Sequence, residues 1–215
     1  MHVAFLRHGP NILSTVSVPY VRAGAHLENR GCADELLDVH VLNTRELFSK
    51  VPIPAQNIHT IGPALADDLE ELADAGLRVA SAYKKELIRE FAMKDSARFP
   101  IFDLVLLGPD GHTCSLFPGH ALLSEEDRWV AYIEDSPKPS PRRITLTLPV
   151  LNHAARIAFV VSGEAKADVL HTILDELEKG LPASRVRPVN PGHLYWFTDE
   201  AAVVKVQYPR TPFKL

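Results

Sequence analysis

A short apolar run, Phe102 to Leu107, empties into the turn Gly108-Pro109-Asp110-Gly111 and delivers His112 to what reads as the start of a helix. A run this short and this apolar suits a strand buried on both faces, the pattern of parallel sheets. Parallel strands need crossover connections, usually helical, so the run commits the chain to an α/β architecture. A strand, a Gly-rich turn and a helix N-terminus together also make an anion site, because free backbone N–H groups and the helix dipole point into the turn. A histidine held there can serve as a general base near neutral pH.

The rest of the chain supports this class. Residues about 64 to 93 carry Leu69, Leu72, Ala73, Ala80, Tyr83, Leu87 and Phe91 at three- and four-residue steps, which predicts an amphipathic helix. Trp129 to Ile133 reads as a strand. Arg143 to Leu148 alternates Ile144, Leu146 and Leu148 with Thr145 and Thr147, so it reads as a half-buried strand. Arg156 to Val161 is a further β-branched run. Lys166 to Lys179 is expected to be helical, with Val169, Leu170, Ile173, Leu174 and Leu177 on one face and Gly180 closing it. Leu194 to Phe197 is a final strand, in which Trp196 and Phe197 read as core. The expected fold is α/β, a mostly parallel, Rossmann-like sheet with helices on both faces. Ligands of such sheets sit beyond the carboxyl ends of the strands, where Gly108 to His112 falls.

Composition narrows the function. At 215 residues the chain suits one globular domain. A net charge of -4 argues against a nucleic-acid surface, which is usually basic. No apolar stretch approaches the ~20 residues needed to span a bilayer. Met1 to Arg7 is too short an apolar run for a secretory signal and lacks a basic leader. Cys32 and Cys114 form no CxxC pattern, and a reducing cytoplasm is the expected home. Pro137 to Pro149 reads as a rigid loop entering a strand.

The run from Phe102 to His120 resembles the signature of the 6-phosphogluconolactonases, within the wider sugar-phosphate isomerase and deaminase superfamily. Pro139 to Pro149 resembles the family's second block, Ser162 to Ala167 its third, and Gly192 to Ala202 its closing strand and helix. The resemblance runs from about Ala33 to about Ala202, which divides the chain into an atypical segment, 1–33, and a lactonase-like domain, 34–210. It implies hydrolysis of 6-phospho-D-glucono-1,5-lactone to 6-phosphogluconate in the oxidative pentose phosphate pathway, without cofactor or metal. It places His112 as the general base. Backbone N–H groups from Gly108 to Gly111 would stabilise the oxyanion. Asp110 would orient the turn or cap a helix near Cys114. Arg143 and Lys166 would hold the phosphate, one as a fork and the other as a point charge at a helix start. Arg142 reads as a solvated neighbour. His120 is expected to serve its loop, and His153, His171 and His193 to be structural or surface residues. Family members are often monomers.

The chain also departs from the family pattern. It has no Gly-Gly-Ser turn, since Gly24 and Gly31 stand alone. Ala33-Asp34-Glu35 is followed by Leu36 where the family has Arg, and Asn43 stands for the Asn of the family's Ser-Asn pair. The central turn is shorter between Gly108 and Pro109. These changes leave an alternative: an impaired pseudoenzyme that binds a sugar phosphate or a protein partner. Two further readings have thinner support. Arg7-His8-Gly9 resembles a histidine phosphatase opening, without a later block to complete it. Glucosamine-6-phosphate deaminases share the Asp-Gly-His turn but continue with Asn-Glu-Pro, where this chain has Ser115 to Pro118.

Overall fold

The computed structural model describes residues 3–9, 12–18, 58–59, 75–91, 99–107, 111–138, 141–189 and 191–211. Its frame is a six-stranded sheet. The expected apolar strand forms as β4 (Leu104–Leu107), in the sheet interior. It pairs in parallel with β7 (Arg156–Val161), and β7 pairs in parallel with β8 (His193–Thr198) from Arg156↔His193 to Val161↔Thr198. On its other side β4 meets β1 (Val3–Gly9) antiparallel. Beyond β1 come β2 (Ile12–Val18), antiparallel to it, and β3 (Ile58–His59), parallel to β2. Three of the five pairings in this sheet are parallel, which is the mainly parallel α/β fold expected.

Two expected strands do not join that sheet. Among the described residues β5 (Val130–Ile133) and β6 (Arg143–Leu146) pair only with each other, antiparallel, from Val130↔Leu146 to Ile133↔Arg143. This ribbon is covered by α1 (Ala75–Phe91), which packs against both of its strands. Val79, Tyr83, Leu87 and Phe91 recur every four residues and are all buried, so one stripe of the helix faces inward. The approach is close: a Cβ on Gly76 would lie 2.0 Å from the Tyr132 ring. Leu69, Leu72 and Ala73 lie outside the described residues.

The reading of Arg143 to Leu148 as half-buried is overturned. Thr145 and Thr147 are both 0% exposed. A buried hydroxyl costs little when it is hydrogen-bonded. The Thr145 hydroxyl accepts from the Ser115 amide and donates to the Leu146 carbonyl, and the Thr147 hydroxyl donates to the Arg128 carbonyl. The strand also stops at Leu146, short of the expected Leu148. Pro149 cannot donate to a ladder and favours a first helical turn, so α2 (Leu148–Asn152) starts there.

α3 (Ala167–Asp175) is shorter than expected. It breaks at Glu176, and a 3₁₀ turn, Leu177–Lys179, ends at left-handed Gly180. Leu170 and Ile173 are buried, but Leu177, past the break, is 51% exposed. Trp196 packs on the core and stacks on Phe159, as expected of a core residue. Phe197 does not: it is 41% exposed, because alternate residues of β8 face opposite sides.

The entry to β5 is held by a carboxylate. Glu125 accepts from the Asp127 and Arg128 amides and from the Arg128 guanidinium. Burial alone would raise its pKa, but these donors outweigh burial and hold it at about 2. A depressed carboxylate stabilises the fold above its unfolded pKa, and that stability is lost as pH falls through the folded value. Glu125→Gln is therefore expected to cost about 1 kcal/mol at pH 7, the discount reflecting the half-exposed Arg128. The difference between variant and parent should shrink between about pH 4.5 and pH 2. Thermal denaturation of both chains across that range checks it, and a pH-independent gap refutes it.

Candidate functional site

The carboxyl ends of β4 and β7 emerge on one edge of the sheet, since the strands are parallel neighbours with Leu107 opposite Phe159. Gly108 and Asp110, which follow β4, lie outside the described residues, as does Asn43. Gly111 takes φ +71°, a left-handed value that glycine adopts without strain.

His112 does not open a helix. Thr113 and Leu116 exchange both backbone hydrogen bonds, at 3.1 and 2.9 Å, so Thr113 to Leu116 is a two-residue hairpin. Cys114 sits at φ +53°, a turn position that usually takes glycine. Its thiol is buried, and burial pushes its pKa up to about 12, so it is no nucleophile at neutral pH. The hairpin folds the chain back so that the His112 ring stacks on Phe117, centroids 4.8 Å apart and planes 18° apart. His112 is 2% exposed, more enclosed than an open crevice would leave it.

Arg143 joins this cluster. Its guanidinium carbon lies 5.7 Å from the centre of the same Phe117 ring, within cation–π reach. Its Nη2 donates to the Lys138 carbonyl at 3.0 Å, which fixes the fork at the start of β6. Phe117 thus brings together two residues expected to work together. Arg142, next to it, is exposed, as expected.

Lys166 follows β7 on the same edge. Gly163, at φ +88°, donates its amide to both carboxylate oxygens of Asp199, at 3.1 and 2.9 Å. Asp199 follows β8 directly and also accepts from the Ala202 amide at 2.8 Å. The turn that carries Lys166 is therefore tied to the next strand, and Lys166 ends a 3₁₀ turn, Glu164–Lys166, and directly precedes α3. The helix start expected at His112 is absent, and the helix start at this edge belongs to Lys166. The dipole that favours an anion moves with it.

His120, His153, His171 and His193 each have local contacts. His120 Nδ1 accepts from the Leu122 amide and so caps the 3₁₀ turn Ala121–Ser124, while Nε2 faces Asp135 at 3.1 Å. His153 Nδ1 lies 2.7 Å from the Pro149 carbonyl, and His171 Nδ1 lies 2.7 Å from Asp175. His193 lies beside Tyr195 on β8. Arg7, His8 and Gly9 lie inside β1, paired with Ser14, Leu13 and Ile12, instead of opening a loop. Among the described residues no group of three or more His, Cys, Asp or Glu side chains could hold a metal, and no helix is long and apolar enough to cross a membrane. Phe117, the ring on which His112 and Arg143 meet, carries no mark in the local sequence pattern.

Comparison with known proteins identifies the family. Residues 38–196 match the family model of the glucosamine-6-phosphate isomerases/6-phosphogluconolactonase. The rat protein named 6-phosphogluconolactonase is 46% identical over 82% of this chain and 64% of its own, and the human one 47% over the same shares. A solved 6-phosphogluconolactonase from Trypanosoma cruzi superposes with a TM-score of 0.64 at 25% identity, over 76% of this chain and 64% of that one. The chain thus spans a little under two thirds of the length of these relatives. Since the family model covers most of the chain, including His112, Arg143 and Lys166, the histidine phosphatase reading falls, and the chain belongs to the glucosamine-6-phosphate isomerase/6-phosphogluconolactonase family.

Proposed function

We propose that this chain hydrolyses 6-phospho-D-glucono-1,5-lactone to 6-phosphogluconate in the cytoplasm. The observation that carries the proposal is the Phe117 cluster, with His112 stacked on the ring and the Arg143 guanidinium 5.7 Å from its centre. The imidazole of His112 takes a proton from water as the water oxygen bonds to the lactone carbonyl carbon. The carbonyl becomes an oxyanion, for which the amides of Gly108 to Gly111 are the expected donors. As the carbonyl re-forms, the bond to the ring oxygen breaks and His112 returns the proton to that oxygen. Arg143 and Lys166 hold the phosphate, with Asn43 and Asp110 as accessory positions.

The lactonase reading is favoured over a deaminase by the names of the rat and human relatives. Those names lend no support to an impaired enzyme. Arg143→Ala and Lys166→Ala are each expected to weaken 6-phosphogluconate binding by about 1.5–3 kcal/mol, the range for a hydrogen bond to a charged group. Calorimetry measures this directly. Unchanged affinity in both variants would return the two cations to the solvated surface.

A further inference from the structure

We propose that Thr145 is a positioning residue for the general base, a role that rests on the lactonase reading above. Its hydroxyl is 0% exposed and joins two elements that meet nowhere in the ladder. It accepts from the Ser115 amide at 3.0 Å and donates to the Leu146 carbonyl at 2.9 Å. Ser115 is the second residue of the two-residue turn that folds His112 onto Phe117. Thr145 lies two residues after Arg143 on β6. One hydroxyl therefore clamps the hairpin that aims His112 to the strand that aims Arg143.

The chemistry of the bond suits a clamp. Both lone-pair and proton functions of the hydroxyl are used, so its rotor is set. The donor it captures belongs to a turn in which Cys114 holds a left-handed backbone without glycine. Such a conformation persists only where its surroundings enforce it. With the clamp gone, the turn can relax and the imidazole shifts relative to a lactone whose phosphate is held elsewhere. Displacement of a reacting group by about 1 Å can cost around 100-fold in rate.

The test compares Thr145→Val, which keeps the shape and removes the hydroxyl, with Thr145→Ser, which keeps the hydroxyl. Below the unfolding temperature, Thr145→Val should lower kcat by about 10- to 100-fold. Its affinity for 6-phosphogluconate should stay within about 3-fold of the parent, because Arg143 and Lys166 are untouched, and Thr145→Ser should recover most of kcat. Unchanged kcat in Thr145→Val overturns the proposal. So does a parallel loss of kcat and product affinity, which would mark a general loss of structure. Amide exchange supplies a readout independent of activity and of the variants' folding. In the unmodified chain the Ser115 amide should be protected, and its exchange as fast as that of a solvated amide overturns the clamp. If the unmodified chain hydrolyses no lactone while Ser115 is protected, the functional reading fails and the clamp stands as structure alone.

Discussion

Replacing His112 with alanine is expected to lower lactone hydrolysis by about 100- to 10,000-fold, the usual contribution of a positioned general base. The loss should fall on kcat and kcat/KM alike, because the proton is transferred only as the transition state forms. Affinity for 6-phosphogluconate should change little, since the phosphate is assigned to Arg143 and Lys166. Spontaneous hydrolysis of the lactone must be subtracted, or a weak variant will look active. Folding must also be checked, because the removed ring is 2% exposed and packed on Phe117. His112→Gln, which retains bulk and polarity, separates lost packing from lost basicity: it should fold like the parent and remain as slow as the alanine variant. If parent and alanine variant hydrolyse lactone at equal rates above background, another group carries the chemistry.

The parts of this site that were legible in the sequence are those fixed by local pattern. β4, β7 and β8 announce themselves as short apolar or β-branched runs, and Lys166 stands where a helical period begins. Gly180 was readable as a helix stop because its left-handed value is one that glycine takes freely. What escaped depends on long-range partners. Alternation along Arg143 to Leu148 reports which residues share a face, but not which strand lies beside them. β6 could therefore pair with β5 instead of entering the main sheet. The same alternation marked Thr145 and Thr147 as solvent-facing, because period alone cannot show that a hydroxyl will find Ser115 or Arg128. The His112 segment misled for a different reason. Its hairpin carries Cys114 and Ser115 in place of the Asn-Gly or Gly-rich pair that signals a two-residue turn, so the sequence offered no hairpin mark.

Gly192→Ala is expected to be strongly destabilising. Gly192 leads directly into β8, and its amide donates to the Val189 carbonyl at 2.6 Å. An added Cβ would lie 2.7 Å from that carbonyl oxygen, 2.7 Å from Pro188 Cβ and 3.0 Å from the Ala154 carbonyl oxygen. At Gly192 two of the three obstacles are backbone oxygens and the third is a proline, so relief requires the main chain to move. Alanine would ordinarily gain a little from a less flexible unfolded chain, up to about 1 kcal/mol. Overpacking against rigid backbone costs more, and the net loss should be about 3 kcal/mol. For a chain of this length that corresponds to a fall in Tm of roughly 6–12 °C. The damage should also reach the site. The movement displaces β8, whose following residue, Asp199, holds the Gly163 turn and with it Lys166. Product affinity should then weaken in Gly192→Ala even at temperatures where the variant is folded. The Lys166→Ala change should add less to this variant than to the parent, because neighbouring effects on one contact do not sum. A Tm within 2 °C of the parent, measured by scanning calorimetry, would show that the backbone here yields where the packing says it cannot.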